Sequence, residues 1–268
     1  MKARKRFGQH FLTDEAVLAR IAETVQVSQD DFLMEIGPGR GALTDYLYSR
    51  GATRYVAIEI DRDLVPRLAA NFPNLELIES DVLRVDFGQF EQVRVVGNLP
   101  YNISTPLMVK LANWVRALPG GMRDGHFMVQ RELAQRMCAR PGNKDWGRLS
   151  VMVQLAFEVE YLFDVAPESF SPPPRVWSSI IRMTPSERWM NITLEQLERI
   201  DDLCKRAFSG RRKKLTNSLK HFEIDWDEME VDSGKRADDV SIAEFLMLAN
   251  GLPDAGQPPQ IEVEGDAG

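Results

Sequence analysis

The sequence predicts an α/β fold: a doubly wound, mostly parallel sheet with an antiparallel hairpin at one edge, followed by a small helical domain. Three observations point there. Between residues 32 and 184 short β-branched and aromatic runs alternate with longer helical patterns, an arrangement that calls for parallel strands joined by crossover helices. The last two strand candidates are joined only by a proline-rich loop, which suits antiparallel pairing. Beyond residue 185 the apolar spacing becomes helical.

The first strand is Phe32-Leu33-Met34-Glu35-Ile36, which runs into glycines, and a helix follows over 42–50. The second strand covers 55–60 and precedes a helix over 64–71. Strands at 75–78 and 93–96, a helix at 107–117 and a strand at 127–129 continue the alternation. The hairpin is formed by 161–163 and 176–183. Leu194, Leu197, Ile200, Leu203 and Cys204, and later Ile242, Phe245, Leu246 and Leu248, recur at helical spacing. The expected domains are 1–185, with a basic N-terminal arm, a helical domain over 186–252, and a Gly-, Pro- and acid-rich tail over 253–268 that is expected to be disordered.

With 268 residues the chain is long enough to bury a core without disulfide or metal staples. Its 44% hydrophobic and 27% charged residues fit a soluble globular protein and exclude fibrous and disulfide-scaffold classes. No apolar run approaches the roughly 18–20 residues of a membrane helix. The basic start is followed only by Phe11-Leu12, too short for a signal-peptide core. Cys138 and Cys204 lie far apart, and His10, His126 and His221 are scattered. A reduced, cytoplasmic protein without a metal site and without a membrane partner is expected.

The net charge of −7 conceals an uneven distribution: residues 221–268 hold 13 acids and two bases, so the rest of the chain is net basic. Lys2, Arg4, Lys5 and Arg6 form one cluster; Lys205, Arg206, Arg211, Arg212, Lys213, Lys214 and Lys220 form another with no acid between them. Each is either a solvated face or a surface for a polyanion.

Glu35-Ile36-Gly37-Pro38-Gly39-Arg40-Gly41 stands at a strand-to-helix junction, where glycines allow close backbone approach and a helix N-terminus offers free N–H groups. Glu59 ends the second strand, 22 residues after Gly37, and can accept both hydroxyl protons of a ribose. Asp81 ends the third and can accept from an adenine amine. The loop also fits a dinucleotide fingerprint, so NAD and S-adenosylmethionine both remain open at this point.

Gly97-Asn98-Leu99-Pro100-Tyr101-Asn102-Ile103-Ser104 closes the fourth strand, where open sheets bind ligands. An exocyclic adenine amine is a poor nucleophile because its lone pair is delocalised into the ring. Acceptors around its N–H bonds favour a pyramidal nitrogen and free that pair for a methyl donor. The Asn98 side-chain oxygen and the Leu99 carbonyl can be those acceptors, Pro100 stiffens the turn, and Tyr101 can stack on an extruded base. The alternative for these residues is a capped turn with Tyr101 in the core.

These motifs, with Arg6-Phe7-Gly8-Gln9-His10-Phe11-Leu12, Gly147-Arg148-Leu149-Ser150-Val151 and Phe170-Ser171-Pro172-Pro173-Pro174-Arg175-Val176, occur in one order, and the chain from Lys5 to about Asn250 resembles the small-subunit (16S) ribosomal RNA adenine dimethyltransferases. The resemblance implies a Rossmann-like S-adenosylmethionine-dependent methyltransferase that dimethylates N6 of two adjacent adenines. Those adenines lie in the 3′-terminal hairpin of small-subunit rRNA, and the reaction belongs to ribosome biogenesis. By position, it implies that His10 and Leu12 line the cofactor entrance and that Gly37 belongs to the cofactor loop. Glu59 holds the ribose, Asp81 the cofactor adenine, and Asn98 sits between cofactor and target amine. Tyr101 and Phe170 take the two faces of the target base. Many members carry Asn where this chain has His10.

The same resemblance turns Arg4, Lys5, Arg6, Arg211, Arg212, Lys213 and Lys214 toward RNA phosphates, and it makes the partner an immature small ribosomal subunit met by a monomer. The proline run is read as stiffening the loop that presents Phe170, in preference to a ligand for a peptide-binding module. The five tryptophans, Trp177 among them, share no spacing and are read mostly as core or interface residues. Rival readings are an adenine methyltransferase of large-subunit rRNA of the antibiotic-resistance type, a non-catalytic assembly factor on the same fold, and an NAD-dependent oxidoreductase.

Overall fold

The computed structural model describes residues 10–252; Arg4, Lys5, Arg6 and the tail from residue 253 lie outside the described residues. The chain begins with β1 (Phe11–Leu12), α1 (Glu15–Val25), β2 (Phe32–Ile36), α2 (Ala42–Tyr48), β3 (Arg54–Glu59), α3 (Val65–Asn71) and β4 (Glu76–Glu79). It continues through β5 (Val93–Asn98), α4 (Tyr101–Ala117), β6 (Met122–Gln130), α5 (Arg131–Cys138), α6 (Arg148–Gln154), β7 (Phe157–Val165), β8 (Phe170–Ser171) and β9 (Ser178–Pro185). Helices α7 (Leu194–Ser209), α8 (Leu215–Ser218) and α9 (Ile242–Asn250) complete it. Two compact units result, one of residues 10–139 and 152–191, the other of 140–151 and 192–252. The division is therefore not a single cut near residue 185, because residues 140–151 group with the helical unit.

In the first unit seven strands run in the order β4-β3-β2-β5-β6-β9-β7. Strands β2 to β6 pair in parallel, and β9 pairs antiparallel with both β6 and β7. Strands β2, β3 and β5 read as unbroken apolar runs because the sheet buries them on both faces; Leu33, Val56 and Val95 are fully buried. The order reverses between β2 and β5, and the register sets Ile36 beside both Ile58 and Gly97. The carboxyl ends of β2, β3 and β5 thus open on one crevice at the switch point of the sheet, where doubly wound folds bind ligands.

Several elements depart from the sequence reading: α5 and α6 are not expected from it and β7 begins at Phe157, ahead of 161, while β6 and α4 differ for identifiable reasons. Strand β6 extends back to Met122 through Asp124 and His126, both polar and both buried. Asp124 is tolerated inside because it meets the Arg94 guanidinium at 3.0 Å, and Arg94 also reaches Asp31 at 3.2 Å; burial holds the His126 imidazole below its usual pKa, at about 4, and so neutral. Arg94 further donates to the carbonyls of Val25 and Gln26, satisfying the otherwise open C-terminal carbonyls of α1. Helix α4 starts at Tyr101, not Leu107, and carries Pro106 inside its second turn. The proline interrupts the local helical pattern, yet one missing N–H near the helix start is accommodated. Strands β1 and β8, which no local pattern announced, pair Phe11 with Ser171 and Leu12 with Phe170.

The second unit is built on α7 and α9. Each begins with a reciprocal capping box, Thr193 with Gln196 and Ser241 with Glu244, which satisfies two free donors at the helix start. Ile200, Leu203, Cys204, Phe245 and Leu248 are fully buried. Trp146 donates its indole N–H to the Val240 carbonyl at 3.0 Å, and Arg148 holds Asp201 in a two-pronged pair at 2.6 and 3.0 Å.

Candidate active site

A cavity of about 820 Å³ opens at the carboxyl edge of β2, β3 and β5. It takes in His10, Leu12, Gly37, Glu59, Asp81, Asn98, Leu99, Pro100, Tyr101 and Phe170, so ten residues singled out from the sequence line one space. Arg211, Arg212, Lys213 and Lys214 lie in the second unit, between α7 and α8.

The floor is the loop between β2 and α2. Gly37 has φ +68, and a methyl group added there would meet no atom within 4 Å, so its backbone faces open space in a conformation other residues resist. Gly41 caps α2 at φ +85, and a Cβ on it would lie 2.8 Å from the Phe72 ring. Glu59 is buried, and its two oxygens accept from the backbone N–H groups of Gly39 at 3.0 Å and Asp61 at 2.8 Å. The Ile60 backbone N–H also faces the carboxylate, which still leaves acceptor capacity for a hydroxyl donor. Burial raises the Glu59 pKa above the usual carboxylate value, against the opposing pull of those backbone bonds.

Behind the loop lies a carboxyl that the sequence reading left without a role. Glu35 is buried and accepts from the Tyr55 hydroxyl at 2.6 Å and the Thr44 hydroxyl at 2.8 Å. Desolvation raises its pKa to about 7. Asp81 spends one oxygen capping the turn after β4, accepting from the Leu83 N–H at 2.9 Å, and its other oxygen remains for a ligand. Ile60 is another residue the sequence reading missed: it lines the cavity with 47% of its surface exposed. An apolar residue directly after a strand-ending acid was the available signal.

The opposite wall begins at Asn98, the last residue of β5. Its amide nitrogen donates to the His10 carbonyl at 3.4 Å. The Leu99 N–H is held by the Met128 carbonyl at 3.1 Å, and Pro100 stands at the N-cap of α4. Tyr101 is half-buried; its hydroxyl lies 2.9 Å from Ser178 Oγ, and its ring stacks against the His10 imidazole with centroids 6.2 Å apart. His10 Nδ1 in turn lies 2.8 Å from the Pro172 carbonyl oxygen. Phe170 stands in a strand instead of a free loop and is 4% exposed; it packs in the same core as Leu12, Met128 and Ile180. Ser169 donates to Asp14, the N-cap of α1, at 2.9 Å and so ties this rim to the helix start.

Arg211 differs from its basic neighbours. Its guanidinium is committed to Asp238 at 2.9 Å and to the carbonyls of Lys144 and Trp146 at 2.8 and 2.6 Å. Arg212, Lys213 and Lys214 are exposed.

A doubly wound sheet whose switch-point crevice carries a glycine loop, a buried strand-ending acid and an Asn-Leu-Pro-Tyr turn is a Rossmann-like methyltransferase. The chain belongs to the ribosomal RNA adenine dimethylase family, whose model matches residues 1–254, and it is an rRNA adenine methyltransferase. It is 46% identical over 267 residues to the ribosomal RNA small subunit methyltransferase A of Bordetella pertussis, covering 96% of this chain and 97% of that one. The protein of the same name from Legionella pneumophila (strain Corby) is 45% identical over 252 residues, 92% and 96% of the two chains. Among solved structures, a dimethyladenosine transferase from Plasmodium falciparum superposes with a TM-score of 0.72 at 27% identity, over 89% of this chain and 96% of that one. The 23S rRNA methyltransferase ErmE gives 0.69 at 29% identity, over 90% and 99%. Among the described residues no helix is long and apolar enough to cross a membrane, and no cluster of His, Cys, Asp and Glu could hold a metal.

Proposed function

We propose that the chain dimethylates N6 of two adjacent adenines in the 3′-terminal hairpin of small-subunit rRNA, using S-adenosylmethionine, within an immature small ribosomal subunit. The observation that carries this reading is the Asn98 amide. Its NH₂ end is engaged by the His10 carbonyl, so its oxygen is the end offered to a target amine, which is a donor. The names of the 43–46% identical relatives favour the small subunit over the large.

The cavity residues suit an adenosine cofactor: Glu59 keeps acceptor capacity for a ribose hydroxyl, Ile60 offers an apolar face to a purine, and Asp81 keeps an oxygen for an amine. When bound, S-adenosylmethionine supplies an electrophilic methyl group on a sulfonium. The chain's own contribution is positioning. Asn98 and the Leu99 carbonyl take the amine N–H bonds and localise the nitrogen lone pair; His10 and Leu12 close the entrance; Tyr101 and Phe170 hold the base. Transfer would form the N–CH3 bond as the S–CH3 bond breaks and leaves a neutral thioether, and the cationic amine would then give its proton to water, so no strong general base is needed. Arg212, Lys213 and Lys214 of the helical domain, with Arg4, Lys5 and Arg6, contact RNA phosphates, and the enzyme acts as a cytoplasmic monomer.

The test is methyl incorporation from labelled S-adenosylmethionine into small subunits lacking these modifications, with mass-spectrometric mapping. Dimethyladenosine at two adjacent positions of the 3′ hairpin is expected. Methylation of large-subunit rRNA alone, or binding of subunits without transfer, would overturn the reading.

A further inference from the structure

Beside the cavity mouth the structure leaves a tryptophan largely uncovered. Trp177 precedes β9 and is 44% exposed, whereas Trp114 and Trp146 are 5% and 1% exposed. A tryptophan in solvent forgoes much of the burial that makes it favourable in a core, so its position calls for a ligand.

Its neighbours say which kind. The Trp177 carbonyl accepts from the Arg131 N–H at 2.9 Å, and the Arg131 guanidinium sits 5.6 Å from the centre of the Trp177 ring. That guanidinium is steadied by Asp164 at 3.9 Å, which itself accepts from Ser179 at 2.6 Å and from Tyr161. Arg175, two residues earlier, is exposed as well. An open indole flanked by fixed and free cations is a chemistry that takes a nucleobase on the ring and its phosphates on the arginines.

Its place in the sheet says where the base comes from. Ser178, the next residue, meets the Tyr101 hydroxyl at 2.9 Å, and β9 begins level with the end of β6, with Ser178 opposite Gln130. Trp177 therefore stands at the carboxyl edge of the sheet, one residue from the group that steadies Tyr101.

We infer that Trp177, with Arg131 and Arg175, is a stacking platform for an RNA base flanking the target adenine, and that it holds the strand while the target is extruded. The inference rests on the chain's acting on RNA at the Asn98–Tyr101 site and deepens that reading with a substrate-positioning residue.

The experiment compares wild type, Trp177→Ala and Trp177→Phe on whichever ribosomal subunit the wild-type protein methylates, so the choice of subunit and the platform fail separately. Loss of a base–aromatic stack weakens binding about 5- to 100-fold. Trp177→Ala should raise KM for the subunit by that factor while kcat and the dissociation constant for S-adenosylmethionine stay unchanged, and Trp177→Phe should recover most of the loss. Retention of the deproteinised rRNA on filters should weaken in Trp177→Ala by the same factor. An unchanged KM overturns the inference. So does a loss seen with intact subunits but not with naked rRNA, which would make Trp177 a contact for a ribosomal protein.

Discussion

The Asn98 side chain donates to the backbone carbonyl of His10, at 3.4 Å, while the His10 ring lies 2.8 Å from the Pro172 carbonyl. The segment before α1 and the proline run before β9 are thus joined through one residue, and the amide between them has a defined orientation. An amide flipped the other way would set oxygen against oxygen.

Replacing Asn98 by Ala removes the acceptor without disturbing the core, since the side chain is only partly buried. Transfer at saturating cofactor should fall roughly 100- to 1000-fold, the usual loss for one preorganised polar group at a reacting centre. Single-turnover methylation measures it. Asn98→Asp should not rescue, because a carboxylate has no donor for the His10 carbonyl.

Glu59 sets a second expectation. Burial raises its pKa, so protonation begins at a higher pH than for an ordinary glutamate, and each proton gained removes an acceptor for a ribose hydroxyl. Cofactor affinity should therefore decline on acidification from above the usual carboxylate range. Glu59→Gln turns an NH₂ toward a backbone donor and should weaken S-adenosylmethionine by roughly 10- to 100-fold, the worth of a hydrogen bond to a charged group, with the acid-side decline flattened. Calorimetric titrations between pH 5 and 8 report both.

Glu35 acts on stability in the opposite sense to a salt-bridged acid. Its folded-state pKa of about 7 stands above the ordinary glutamate value of 4.5, so the folded state binds the extra proton between those values. Stability contributed there is full below pH 4.5 and is lost as pH rises to about 7, a span of about 3 kcal/mol. Glu35→Gln keeps an oxygen for the Tyr55 and Thr44 hydroxyls. It should match wild type near pH 5 and be more stable at pH 8, as urea denaturation at the two pH values would reveal.

The basic run after α7 should divide by function. Arg211→Ala strips bonds from Asp238 and two carbonyls and should cost about 1–3 kcal/mol of stability, seen as a lower Tm. Lys213→Ala with Lys214→Ala should leave Tm within a degree or two and weaken rRNA binding. The salt dependence of that binding should fall by about one unit of slope for each phosphate no longer neutralised.

Much of this was legible because the determinants are local. Continuous apolar runs marked the buried parallel strands, and the acids and the Asn98 turn fell at strand ends, which the parallel register then aligns. What escaped depends on partners distant in sequence. Asp124 falls outside the strand expected at 127–129, and only Arg94, on the neighbouring strand, makes a buried acid there acceptable. Leu12 and Phe170 announce no strand because two residues form one only against each other. Trp177 is one of five tryptophans read mostly as core or interface residues; nothing local says that it stands 44% exposed.

The pairing of Phe11–Leu12 with Phe170–Ser171 also orders events in time. The two strands of this one rim lie more than 150 residues apart in the chain. During synthesis, Leu12 waits for its partner until most of the catalytic sheet has left the exit tunnel. A nascent chain halted before Phe170 has the glycine loop and the Asn98 turn but not the rim that joins them.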